Sequence, residues 1–170
     1  GEVVTVSDSP GLWAPPSDIA DMLAIIPPPS TCGKKRYLVQ RKGSRVLKNE
    51  KQLLDSIQDM GFELLPDAPR TVREQIALYR EVECIAGPHG AGLSNILWAG
   101  RGARFLEVQG VSWIMPSFRC LCAIRKFPYR LIIDESAGGP PRREGICSTA
   151  PLKVDMGLFQ SHVRLLCPTR

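Results

Sequence analysis

Between the apolar runs Cys84-Ile85-Ala86 and Ile96-Leu97-Trp98 lies Gly87-Pro88-His89-Gly90-Ala91-Gly92-Leu93-Ser94-Asn95, whose residue types suit the capture of an anion. Three glycines in six residues let the backbone approach a ligand closely. The flanking runs predict a strand before the turn and a helix after it, with the helix's first N–H groups and positive dipole end facing the same point. A nucleotide diphosphate would suit that geometry. The spacing is neither G-x-G-x-x-G nor G-x-x-x-x-G-K-[ST], which argues against the common dinucleotide and P-loop sites. A tight strand-to-helix connection without a ligand is the plain alternative. His89, inside the turn, is the candidate catalytic residue, able to contact phosphate or a reacting sugar or to move a proton. Its structural alternative is a hydrogen bond to backbone. His162 is expected to be structural.

Two other groups are expected on the same rim. Gln40-Arg41-Lys42-Gly43-Ser44-Arg45 follows the apolar run at Tyr37, which places Arg41 and Arg45 at the carboxyl end of a strand. That is where ligands bind in open α/β sheets. A guanidinium fork donates bidentately to phosphate oxygens and keeps its charge, so the two arginines are candidate diphosphate ligands. Lys42 and Lys48 read instead as solvated charges. Glu107, near the end of another strand, could accept from ribose hydroxyls or form a salt bridge with an arginine.

The elements that would position these residues alternate. Helices are expected over 17–25, with Ser17 as N-cap, from Asn49 through Met60 with Gly61 as C-cap, over 72–80, beyond Gly90, over 117–124 and over 155–166. Strands are expected over 3–6, 37–40, 62–65, 83–86, 104–109 and 129–133. Segments 7–16 and 136–151, rich in Pro, Gly, Ser or Arg, read as loops. Alternation of this kind predicts a Rossmann-like α/β fold, a mostly parallel sheet with helices on both faces. Residues 1–170 are read as one domain, with 1–36 as an N-terminal extension.

With 170 residues, 44% hydrophobic and 23% charged, the chain can bury one substantial core and is not a disordered polymer. A net charge of +5 is spread among interspersed acids, and no nucleic-acid motif accompanies it. No apolar run reaches the roughly 20 residues of a membrane span, so a soluble chain is expected, with an upstream signal, anchor or domain left open. Six cysteines in a chain of this size are not needed as staples, and Cys120-Leu121-Cys122 lacks zinc-ligand spacing, which favours buried thiols. Zinc-hydrolase and serine-esterase motifs do not occur.

The series Tyr37-Leu38-Val39-Gln40-Arg41 with Arg45, then Asn49-Glu50, Gly61-Phe62-Glu63, Glu74-Gln75, the nine-residue glycine turn and Glu107 resembles glycosyltransferase family 61. Its most specific part is G-P-H-G-A-G-L-S-N preceded by the Glu74-Gln75 helix. The resemblance runs from about Tyr37 to Glu107, with a looser tail to Leu166. It implies an inverting transferase of the two-Rossmann-domain GT-B type that takes a sugar from a nucleotide sugar, usually UDP-linked, to a glycan or protein hydroxyl. This segment is similar to the C-terminal, donor-binding half, and 170 residues are too few for both halves, so the acceptor-binding half is expected to be absent or much reduced and the segment inactive in isolation. Carried onto this chain, Arg41 and Arg45 are the diphosphate ligands. The resemblance also implies that Gly87, His89, Gly90, Ala91, Gly92 and Leu93 form the phosphate-facing turn and that Glu107 contacts ribose or donor sugar. No cofactor beyond the donor is implied, and without a D-x-D motif metal independence is expected. The alternatives are a silent nucleotide-sugar-binding module and an interaction domain. The compartment stays open between the bacterial cytoplasm and the lumen of the endoplasmic reticulum or Golgi.

Overall fold

The computed structural model describes residues 16–112, 114–136 and 149–168. The expected strand over 3–6, nearly all of the loop over 7–16, most of the loop over 136–151 and Cys147 lie outside the described residues.

Five strands, β1 (Lys35–Val39), β2 (Phe62–Leu65), β3 (Val82–Pro88), β4 (Arg104–Gly110) and β5 (Tyr129–Asp134), form one sheet in the order β2-β1-β3-β4-β5. Every pairing is parallel. Five α-helices connect and cover them: α1 (Pro16–Ile25), α2 (Glu50–Asp55), α3 (Val72–Arg80), α4 (Ser117–Arg125) and α5 (Met156–Leu166). Short 3-10 helices run over Gln58–Met60 and Ala91–Trp98.

Side-chain alternation along the central strands builds two cores, one on each face. Cys84 and Ala86 of β3 and Leu106 and Val108 of β4 join Leu53 and Ile57 near α2 and Phe159 and Val163 of α5. Val82, Ile85 and Phe105 join Ile19 of α1, Tyr79 of α3, the Ala91–Trp98 segment and Phe118 and Leu121 of α4. Both faces of β3 are therefore buried, and all seven of its residues are so. The fold is the expected α/β, Rossmann-like one, with helices on both sides. No helix among the described residues is long and apolar enough to cross a membrane.

Local chemistry explains the element boundaries. Thr71 and Glu74 form a reciprocal capping box that starts α3, and Gly61 takes the left-handed conformation (φ 78°) that ends the Gln58–Met60 turn. Two expectations are corrected. The helix expected from Asn49 through Met60 breaks at Ser56, whose hydroxyl donates to the Leu53 carbonyl at 2.7 Å. Asn49 does not cap it with its side chain, which instead brackets Val154, donating to its carbonyl at 2.7 Å and accepting from its N–H at 3.3 Å. Ser17 lies inside α1 rather than before it.

Near the amino ends of the strands, Glu83 ties three of them together. Arg36 of β1 donates to both of its oxygens at 2.9 Å, and Arg104 of β4 donates to one of them, also at 2.9 Å. The Arg36 hydrogen bonds, opposed by burial and assisted by Arg104, hold the Glu83 carboxyl below the usual carboxylate range. This charged clamp leaves the opposite, carboxyl edge of the sheet to carry the site.

Candidate functional site

In the order 2-1-3-4-5 the chain reverses direction across the sheet between β1 and β3, and loops leaving these two strands diverge to opposite sides. A cavity of about 360 Å³ opens on that side of the sheet edge. Val39 ends β1 there and Gln40 follows it, Leu65 ends β2, and Pro88 ends β3. Gly90, Ala91, Gly92 and Leu93 supply the wall on the β3 side.

Arg41 and the glycine turn meet directly. One terminal nitrogen of the Arg41 guanidinium donates to the His89 carbonyl at 3.1 Å, while Nε donates to the Ser44 carbonyl at 2.7 Å. A Cβ built on Gly90 would fall 1.5 Å from that same guanidinium nitrogen. The absence of a side chain at position 90 is thus what lets the cation lie against the turn. The φ of Gly90 is 176°, ordinary extended backbone, so space rather than dihedral freedom selects glycine here. Gly87 has a different role. It lies within β3, and a Cβ there would approach the Val39 side chain to 2.9 Å, so it permits close strand packing and does not face the cavity.

The expected helix after the turn is a 3-10 helix over Ala91–Trp98, with Leu93 N–H bonded to the Gly90 carbonyl. The Gly92 carbonyl, which an α-helix would direct at the N–H four residues on, is taken by the Tyr79 hydroxyl at 2.9 Å and the Asn95 amide at 3.1 Å. Asn95 also donates to Gln75 at 2.7 Å. Residues of α3 therefore grip the turn from behind. Burial pushes the Tyr79 phenol up, which keeps it protonated and able to donate.

His89 points its ring to the β4 side, against Phe118 at 4.9 Å between ring centroids, and its Nδ1 is bonded to a carboxylate oxygen of Glu107. Glu107 is completely buried, and its other oxygen accepts from the Tyr129 hydroxyl at 2.6 Å. Burial first, then the charge of Glu107, raises the Tyr129 phenol, so it remains a donor. His89 is 7% exposed and is not part of the cavity wall. Glu107 sits behind the turn, with its oxygens spent on His89 and Tyr129 and not on an arginine. Replacing Tyr129 with phenylalanine removes one of two donors to this carboxylate. It is expected to lower unfolding free energy by about 1 kcal/mol, measurable as a reduced urea midpoint at unchanged slope.

Arg45 is not among the cavity's lining residues. Its backbone, in the left-handed region at φ 57°, turns away and donates to the Thr149 carbonyl at 3.2 Å. The cations that do line the cavity with Arg41 are Lys42 and Arg70. Arg70 had no motif to mark it, since it comes from the loop before α3. Lys42 is exposed, as expected, and stands at the cavity's edge, where its backbone N–H donates to Asp67 at 2.9 Å.

A doubly wound parallel sheet with a cavity at its switch point is the architecture of α/β proteins that bind ligands at the carboxyl edge. The model of the family described as Glycosyltransferase 61 matches residues 3–106, and the chain belongs to that family. It is a glycosyltransferase, whose general partners are a nucleotide-sugar donor and a glycan acceptor. The match spans Arg41, Arg45 and the whole glycine turn and ends one residue before Glu107. A search of curated proteins found no match.

Proposed function

We propose that this domain is the donor-binding half of an inverting GT-B transferase and that it holds the diphosphate of a UDP-sugar. The observation that carries this reading is the contact between the Arg41 guanidinium and the backbone of the glycine turn, on the wall of the switch-point cavity. In single displacement an acceptor hydroxyl, deprotonated by a base, attacks the anomeric carbon while the diphosphate departs with growing negative charge. Arg41, with Lys42 and Arg70 at the cavity edge, and the first amides of the Ala91–Trp98 segment would stabilise that charge as it forms. Arg45 enters only at longer range. Gly90, Ala91, Gly92 and Leu93 present the phosphate-facing backbone, and Gly87 sets how closely β3 approaches β1.

His89 acts here as a positioning residue, its buried ring held by Glu107 and Phe118 on the β4 side of the turn, in place of the catalytic contact expected of it. In this reading Glu107 serves the donor through His89, a positional role in place of the ribose contact. Cations and amides already directed at the diphosphate would do the work of a divalent ion, so donor binding is metal-independent.

Thermal denaturation tests this. UDP at one hundred times its dissociation constant is expected to add about 2.7 kcal/mol of stability, unchanged by EDTA. Stabilisation that disappears in EDTA and returns with Mn²⁺ would contradict metal independence. Indifference to every nucleotide would favour the interaction-domain reading.

A further inference from the structure

We infer, on the donor-binding reading proposed above, that the Asp67 carboxylate takes the ribose hydroxyls of the nucleotide and makes the cavity selective for a ribonucleotide. Among the described residues that line the cavity Asp67 is the one acid, and the other charged side chains are the cations Arg41, Lys42 and Arg70. It is exposed in the loop that follows β2. Among the described residues its single hydrogen bond is the one that Oδ2 accepts from the Lys42 N–H at 2.9 Å. Oδ1 keeps its acceptor capacity for a ligand.

The loop is braced on both sides of this residue. Arg70 donates to the Pro66 carbonyl at 3.1 Å and to the Ala68 carbonyl at 3.2 Å, and Gln75 of α3 donates to the Arg70 carbonyl at 3.0 Å. Asp67 is thus tied to Lys42 and its loop to α3 before any ligand arrives, so little freedom is lost on binding.

Charge decides what meets it. A carboxylate offers only acceptors, so it repels phosphate and accepts from hydroxyls. The diphosphate therefore lies toward Arg41 and the glycine turn on the β3 side, and a hydroxylated group lies toward Asp67 on the β2 side. In the order β2-β1-β3 these walls stand two inter-strand spacings apart, roughly 10 Å, a distance that a nucleoside diphosphate spans from its terminal phosphate to its ribose. Two hydroxylated groups flank the diphosphate of a nucleotide sugar, and the neighbours choose between them. Leu65 at the end of β2 and Leu78 of α3 line the cavity with Asp67. Apolar surface of that kind suits the face of a base, which is joined to the ribose and not to the donor sugar.

The test is isothermal titration of the full chain with UDP, 2′,3′-dideoxy-UDP and inorganic pyrophosphate. Wild type is expected to bind UDP about tenfold more tightly than the dideoxynucleotide, the scale of losing hydrogen bonds to a charged acceptor. Asp67→Ala, a change at an exposed loop position with circular dichroism expected to match wild type, should bind UDP about tenfold more weakly. It should no longer separate the two nucleotides and should keep wild-type affinity for pyrophosphate. UDP carries no donor sugar, so an Asp67→Ala chain with wild-type affinity for UDP would overturn the assignment to ribose. A wild-type chain that binds both nucleotides equally would overturn it as well, and that comparison needs no variant to fold. The donor-binding reading itself fails by a different result, a wild-type chain that binds neither UDP nor pyrophosphate, and the role of Asp67 then falls with it.

Discussion

Arg41→Ala is expected to weaken UDP binding at least about tenfold, a loss of about 1.4 kcal/mol, and to slow transfer in the complete enzyme by about 100-fold. The larger effect on transfer follows from where the charge appears. A ground-state diphosphate is already anionic, but the bond to the sugar breaks only as further charge moves onto the leaving oxygen. A cation fixed in advance by the His89 and Ser44 carbonyls meets that charge without reorganising. Arg41→Lys should recover little, because an ammonium cannot hold both carbonyls and still present a planar fork. The residue sits at the rim, so circular dichroism and melting temperature should stay near wild type. Isothermal titration of UDP checks the first effect, and initial transfer rates check the second. Unchanged affinity with a folded variant would remove Arg41 from the site.

The second large effect is on stability. Glu107→Ala should remove the shared acceptor of His89 and Tyr129 inside a fully buried pocket. Each of the two donations lost costs about 1–3 kcal/mol, so a total loss of about 2–6 kcal/mol is expected. For a domain of this size that lowers the melting temperature by about 10 °C. Glu107→Gln, which keeps an acceptor oxygen, should lose less. Calorimetry on both variants and on Tyr129→Phe would show whether the losses couple, as they should for residues joined through one carboxylate. A Glu107→Ala chain as stable as wild type would mean that the carboxylate contributes nothing to holding the turn.

Local chemistry accounts for what could be read directly from the residues. The apolar periodicity over 72–80, the apolar runs after Phe62 and Arg104 and the glycine at position 61 each act within a few residues of themselves, so element positions followed from pattern. The convergence of Arg41 with the glycine turn was legible because parallel α/β sheets place successive strand ends on one edge. What escaped was set by partners far along the chain. Nothing local marks Tyr129 as the donor that occupies Glu107, or Asn49 as the bracket for Val154. Arg45 and Arg41 look equivalent in sequence, yet a left-handed turn at Arg45 sends its backbone toward Thr149. The 3-10 form of Ala91–Trp98 also depends on Tyr79 and Asn95 claiming a carbonyl that pattern would assign to a helix.

The most direct measurement is a titration of the isotopically labelled chain with UDP, followed by the NMR shifts of backbone amides and of the arginine Nε–H groups. The account predicts that the largest changes fall on Gly90, Ala91, Gly92 and the Arg41 side chain together, saturating with one binding constant. Shifts confined to the opposite edge of the sheet around Arg130 and His162, with Arg41 and the glycine amides unmoved, would contradict it.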